Sequence, residues 1–341
     1  MHALKPRRAE SGVHPWSSWA TKIASALLFV AAALPAAHAQ QQAWPAQPLR
    51  LVVPYPPAGA ADVAARVIGQ RLAARLGQPV VVDNHPGAVG TIGASLVAKA
   101  PADGYTLLAA TNPEITIVRH LRASLPYKPD DLVPLLRTAQ VPIVLVTRGE
   151  DAQSAHLQQV LERAKRTPDK LSYATPGVGT PMHLMMESIL QASGVRVHHI
   201  PYNGGSRAVA DLIGGQVDML AISLSTVMSH LQSGRLRALA VLQAERSALA
   251  PNVPSLREAG GVSAPKLPSV WFGWFAPAQT PLAVRARLAA ELESIVREPE
   301  IKLALERGGL EASPLQPQPF ARELRDESNF FAGVAKPFAE R

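Results

Sequence analysis

Two spacings of apolar residues alternate along the chain. Leu49, Leu51, Val52 and Val53 form a short apolar run of the kind a buried strand shows, and Val63, Val67, Ile68, Leu72 and Leu76 then recur at helical spacing until Gly77 closes the segment. A second run at 79–83 leads into a helix ending near Lys99, and a third run follows at 105–110. The pattern restarts with a strand at 143–146, a helix over 157–166, and further strands beginning at 171, 197, 217 and 236 with helices between them. Residues 269–275 form another strand, in which Trp271 and Trp274 read as core or hinge packing. Thr280-Pro281 opens a helix carrying Val284, Leu288, Leu292 and Ile295, with proline at the tolerated first position, and a last assigned helix runs from Pro299 to Gly308-Gly309. Strands separated by helices predict an α/β protein with parallel pairing.

The N-terminus breaks this rhythm. Lys5, Arg7, Arg8 and Lys22 precede an apolar run at 23–33, and Ala37-His38-Ala39 follows, the layout of a cleavable signal peptide over residues 1–39 with cleavage near Ala39. The run is too short for a bilayer span, which needs about 20 apolar residues. Export to the periplasm is therefore expected. The remaining chain exceeds the size at which one core usually stops growing, so two lobes are expected.

Charge and cysteine content narrow the chemistry. Losing the leader removes four basic residues and one acid, which lowers the formal net charge from +8 to +5. The longest basic cluster, Arg163-Ala164-Lys165-Arg166, lies on a helix, so no stripe for nucleic acid is present. With no cysteine, disulfides, thiolate metal sites and thiol nucleophiles are all excluded. The sequence contains no Gly-x-Ser-x-Gly, no His-Glu-x-x-His and no P-loop lysine, so hydrolase, metalloprotease and kinase readings lack their carriers and no enzyme is expected.

Four glycine-rich turns, each between a strand and a helix, hold the candidate chemistry: 54–62 with Tyr55, Ala58, Gly59, Ala60 and Asp62; 87–93 with Gly87, Val89, Gly90 and Thr91; 175–180 with Thr175, Gly177, Val178, Gly179 and Thr180; and 201–207 with Tyr202, Gly204 and Ser206. Small residues let a ligand approach the amides that a helix start leaves unpaired. Hydrogen bonds to a charged group contribute about 1.5–3 kcal/mol each, so a few of them approach the roughly 8 kcal/mol of micromolar binding without any cationic side chain. Asp62 reads either as a first-turn helix carboxylate favoured by the dipole or as a ligand contact. His183 lies among Met182, Met185 and Met186, a pattern more typical of core filling than of metal binding, and His198 and His199 point to opposite faces of a strand. No metal or cofactor is expected.

Several motifs in order resemble the tripartite tricarboxylate transporter receptors, or Bug-type periplasmic solute-binding proteins. They are Trp44-Pro45 with Val53-Pro54-Tyr55-Pro56, Ala58-Gly59-x-x-Asp62, Val82-Asp83-Asn84-His85-Pro86-Gly87-Ala88, and Pro101-Ala102-Asp103-Gly104-Tyr105-Thr106-Leu107. They continue with Gly177-Val178-Gly179-Thr180 ahead of His183, Pro201-Tyr202-x-Gly204-Gly205, and Leu212-Ile213-Gly214-Gly215-Gln216-Val217-Asp218. The resemblance implies a two-lobed type II periplasmic-binding fold, each lobe a mixed, mostly parallel sheet flanked by helices and joined by two hinge strands. On that basis one lobe spans 40–142 plus 276–341 and the other 143–275. It also implies ligand loops at 55–62 and 175–180, with Gly87 to Thr91, Thr111, Asn112, His183, Tyr202 to Ser206, Ile222 and Ser223 in support. The implied role is monomeric capture of a small carboxylate for an integral-membrane transporter; a co-receptor for a membrane sensor kinase and an exported enzyme are the alternatives. Ala60, Val89 and Ile222-Ser223 depart from the family pattern, and the last pair, replacing Asp-Asn, favours an apolar or aromatic carboxylate over an amino acid.

Overall fold

Alternating strands and helices build two sheets in the computed structural model, which describes His2 and residues 44–151, 156–260 and 267–340. The expected leader lies, His2 apart, outside these residues. In chain order β1 (Leu49–Val53) precedes α1 (Ala60–Leu76), β2 (Val80–Asn84), α2 (Thr91–Ala98) and β3 (Thr106–Ala110). A π-helical turn at Pro113–Ile117 continues into α3 (Val118–Leu121), and β4 (Leu132–Val141) meets β5 (Ile143–Arg148) across Pro142. Then come α4 (Leu157–Arg166), β6 (Ser172–Thr175), α5 (Pro181–Ser193), β7 (His198–Pro201), α6 (Gly205–Ile213), β8 (Met219–Ser223), α7 (Leu224–Gln232) and β9 (Leu236–Val241). The chain closes with β10 (Val270–Pro277), α8 (Leu282–Val296), α9 (Pro299–Arg307), β11 (Glu311–Leu315) and α10 (Pro317–Ala335).

Local chemistry sets the element ends. Gly77 adopts φ 68°, and its N–H closes α1 on Ala73 O, the expected left-handed cap. The buried face of α1 differs from the expected stripe: Ala61, Ala64, Ala65, Ile68 and Leu72 face inward, while Val63 is exposed and Val67 half-buried. Small side chains bring this helix close to the sheet, where a Cβ on Gly69 would stand 3.4 Å from Val80 Cγ1. Pro281 occupies the N-cap of α8 and not its first turn.

The strand orders are β11-β4-β10-β3-β1-β2 and β7-β6-β8-β5-β9. Both sheets are mixed. The trios β2-β1-β3 and β7-β6-β8 are parallel, whereas β10, β11 and β5 run antiparallel to their neighbours. The chain passes between sheets at Pro142 and again between β9 and β10. Because β10 pairs with β3 and β4, the strand expected at the end of the second lobe lies in the first sheet. A boundary drawn by strand pairing falls before Val270 and not after 275.

Trp271 and Trp274 are buried, as expected, and Trp271 meets Phe320 edge-on at 5.0 Å. A smaller cluster of Ile117, Leu184, Phe331 and Ala335 ties α10 to α5, so the last helix touches elements of both sheets. Residues 47–341 form one compact unit. Among the described residues no helix is long and apolar enough to cross a membrane.

Candidate functional site

Parallel strands gather their outgoing loops at one end, and in open α/β sheets ligands bind outside those carboxyl ends. In the first sheet the loops after β1, β2 and β3 are neighbours; in the second, those after β6, β7 and β8 are. The sets expected from sequence are therefore assembled sheet by sheet.

Around β1, Asp62 organises the corner. Its carboxylate, 2% exposed, accepts from the Ala58 N–H at 2.9 Å, from Arg66 Nε at 2.9 Å and from Asn84 Nδ2 at 2.9 Å. Asn84 Nδ2 also donates to Tyr55 O at 3.1 Å. The Arg66 bond leads the effects that hold Asp62 well below the usual carboxylate range, at about 2. Of its two expected roles the structure provides the architectural one: this carboxylate shapes the turn. Ala58 sits at φ 65° with its amide spent on Asp62, whereas Gly59 and Ala60 are exposed at the start of α1, where the first intrahelical bond runs from Val63 N–H to Gly59 O. The first-turn amides beginning at Ala60 are thus the candidates for an anion.

The second turn is bent through four consecutive positive-φ residues, Gly87 to Gly90, with Ala88 at φ 47°. Gly87 has φ 125°, Val89 φ 58° and Gly90 φ 84°, and Thr91 Oγ1 donates to Ala88 O at 2.9 Å. Val89 is a β-branched residue in the left-handed region, the conformational reason glycine suits that position.

Beneath these turns lies a residue that the sequence did not single out. Glu114 is fully buried; it accepts from Tyr55 O–H at 2.7 Å and from Thr111 N–H at 2.9 Å. Burial raises its carboxyl to about 7, and burial together with the neighbouring Glu114 raises the Tyr55 hydroxyl well above its ordinary value. Glu327 on α10 is a second buried carboxyl, also raised by burial to about 7, and accepts from Asn112 Nδ2 at 2.7 Å, from Trp271 Nε1 at 2.7 Å and from the Thr116 hydroxyl. Asn112 also donates to Ser269 O at 2.9 Å and is 0% exposed, so its amide is committed to the core and Thr111 is nearly buried beside it. No sequence signal marks either glutamate, because only the fold removes them from water.

In the second sheet, Thr180 caps α5: its Oγ1 accepts from His183 N–H at 3.3 Å and donates to Gly177 O at 2.8 Å. Gly179, at φ 74°, donates its N–H to His183 Nδ1 at 3.2 Å, which leaves the proton of neutral His183 on Nε2. The His183 ring is buried, stacks on His199 at 4.1 Å and meets Phe338 edge-on at 4.4 Å; burial first, and His199 second, lowers its pKa to about 4. Among the described residues no group of three His, Cys, Asp or Glu could hold a metal. With Pro181 lacking an N–H and the Gly179 amide spent, Val178, Thr180 and Met182 carry the remaining candidate donors here. Thr175 is buried, with its Oγ1 2.7 Å from His199 Nε2.

The neighbouring turn folds onto this one: Tyr202 N–H donates to Thr175 O at 3.0 Å, Gly204 N–H to Pro176 O at 3.1 Å, and Tyr202 O–H to Asp211 at 2.8 Å. Gly204 at φ 102° precedes α6, so the amides at Gly205 and Ser206 open that helix. Ile222 is 2% exposed and a Cβ on Gly205 would stand 2.6 Å from its Cδ1, so its side chain packs in the second core. Ser223 Oγ lies 2.7 Å from Thr226 Oγ1. The sheets meet at this end: a Cβ on Gly179 would stand 2.6 Å from Cδ1 of Leu121, on α3.

A sequence model described as "Tripartite tricarboxylate transporter family receptor" matches residues 64–336. The chain is similar to protein BugT of Bordetella pertussis, with 35% identity over 311 residues, covering 91% of this chain and 94% of BugT. Among solved structures it is similar to Rpa4515 of R. palustris with adipate (TM-score 0.73, 30% identity, 86% and 97% of the two chains). It is also similar to MatC of Rhodopseudomonas palustris with bound malate (TM-score 0.68, 27% identity, 85% and 99%).

Proposed function

Because this chain belongs to the tripartite tricarboxylate transporter receptor family, we propose that it captures a small carboxylate in the periplasm and hands it to a tripartite tricarboxylate-type membrane transporter. One observation carries the reading: two strands of each parallel trio, β1 and β2 in one sheet and β6 and β7 in the other, end in glycine-rich turns that open helices, and the two sheets meet at Gly179 and Leu121 beside those turns. The solute carboxylate is bound by first-turn amides at Ala60 and Ser206 and by the amides of Val178 and Thr180. Asp62, His183, Thr175 and Asn112 shape those turns from behind. Adipate and malate in the two relatives support a carboxylate guest.

Exposed Val89, Ile92 and Val178 stand on the same turns and favour a guest whose body is apolar.

The test uses the chain from residue 40 onward in a thermal-shift panel of mono-, di- and tricarboxylates, followed by calorimetry and mass spectrometry of the recovered solute. A receptor binds one equivalent and returns it unchanged. Absence of a shift across the panel, or chemical conversion of the bound solute, overturns the proposal.

A further inference from the structure

Three segments of the first sheet converge on one side chain. Glu114 Oε2 accepts from Tyr55 on the turn after β1, Glu114 Oε1 accepts from the Thr111 amide after β3, and a Cβ on Gly90, in the turn after β2, would lie 2.9 Å from Oε2. Gly90 itself is buried, so its turn rests on the carboxyl, and the absent side chain permits the approach. The carboxyl has no cation within ion-pair distance among the described residues. It is joined to the turns after β1 and β3 only by neutral donors.

We propose that Glu114 is the positioning residue of the ligand cleft, clamping the turns after β1, β2 and β3 together, and that capture of a solute carboxylate is coupled to protonation of its carboxyl. The coupling rests on the function proposed above; the clamp does not. Burial already favours the neutral acid up to about pH 7. An anion arriving at the adjacent amides disfavours ionisation further, so binding takes up a proton wherever Glu114 is ionised in the empty protein. One nearby group, Glu327 on α10, is likewise raised by burial to about 7. Tyr55 faces it from the first turn, and the 88–90 turn brings no ionisable group. Tyr127 bonds the Glu114 carbonyl, with Arg119 and Arg122 acting on that tyrosine, and Arg119 faces Asp130 at 3.8 Å beside Asp131. From α10 the group facing this turn is Glu327, held by Thr116 and Asn112.

Two measurements test the proposal. Hydrogen exchange of the ligand-free protein reads the clamp: Glu114→Ala is expected to speed exchange at 54–59 and 87–91, and unchanged protection overturns it. Tyr55→Phe, which deletes one of the bonds, carries the same test should Glu114→Ala fail to fold. Calorimetry at pH 6 and 8.5 with the tightest binder among adipate, malate, citrate and benzoate reads the coupling. The wild type is expected to bind about tenfold more weakly at the higher pH, as one ionisation displaced by a unit or more predicts. In Glu114→Gln that ratio should fall below about twofold, since the carboxyl that takes up the proton has been removed. A flat wild-type profile, or a slope that survives in Glu114→Gln, overturns the coupling. If none of the four acids binds, the receptor reading and the coupling fall together, while the exchange result still decides the clamp.

Discussion

Replacing Gly179 by alanine is expected to lower stability and affinity for separate reasons. Its φ of 74° lies in the left-handed region, where an L side chain costs about 1–2 kcal/mol. That strain belongs to the turn itself and should appear as a reduced free energy of unfolding. The added Cβ would also stand 2.6 Å from Leu121 Cδ1, well inside ordinary contact. Leu121 belongs to α3, beside the first sheet, so this second cost is relieved whenever the two sheets part. Overpacking of this kind costs about 1–3 kcal/mol, which becomes a rise in Kd of about 5- to 150-fold if capture needs the sheets together. Urea unfolding and calorimetry of wild type, Gly179→Ala, Leu121→Ala and the double variant separate the two. Leu121→Ala should recover the affinity share and leave the stability share. Equal affinity losses with and without Leu121 would refute the reasoning.

Val89→Gly should raise the urea midpoint, with a net gain of about 1 kcal/mol, because relief of a β-branched residue at φ 58° outweighs the added freedom of the unfolded chain; a lower midpoint contradicts this. Asp62 has its folded pKa depressed to about 2, so its share of stability is complete above about pH 4 and is lost as pH falls toward 2. Asp62→Asn should flatten acid unfolding in that window, where two units correspond to about 2–3 kcal/mol. Glu327 has the opposite sign. Its folded pKa is raised to about 7, so its contribution is fully present below about pH 4 and is lost as pH rises to 7, and Glu327→Gln should remove about one proton from the slope of stability against pH between 5 and 7.

Much of the framework could be read from spacing. The run at 143–146 became a strand because a continuous apolar stretch is buried on both faces, the runs at 49–53 and 236–241 did so with one arginine each, and the helix at 157–166 was legible from end to end. β4 was not legible, since Pro134, Arg137 and Gln140 interrupt its apolar residues. Arg137 is accommodated there through partners distant in sequence, Glu323 on α10 and Ser313 on β11. β11 contains Pro314 and no fully buried residue, so nothing local distinguishes it from a loop. α10 does bury Phe320, Leu324, Phe331 and Ala335 at helical spacing, but Glu327 interrupts that stripe and disguises it. At the site, glycine and proline announced the turns, whereas the partners that occupy their polar atoms were invisible. Asp62 with Ala58, His183 with Gly179, and the two buried glutamates are pairings across space that only tertiary structure specifies.

The small apolar cluster between α10 and α5 bears on how such a receptor could empty itself. Ile117, Phe331 and Ala335 touch Leu184, and Phe338 lies against His183, so swinging the halves apart would wet these surfaces. Each large side chain newly exposed costs about 1.5–3 kcal/mol, a sum comparable to the binding of a weak solute. Any separation of the two halves would therefore have to meet that cost at the C-terminal helix, besides whatever the solute itself contributes.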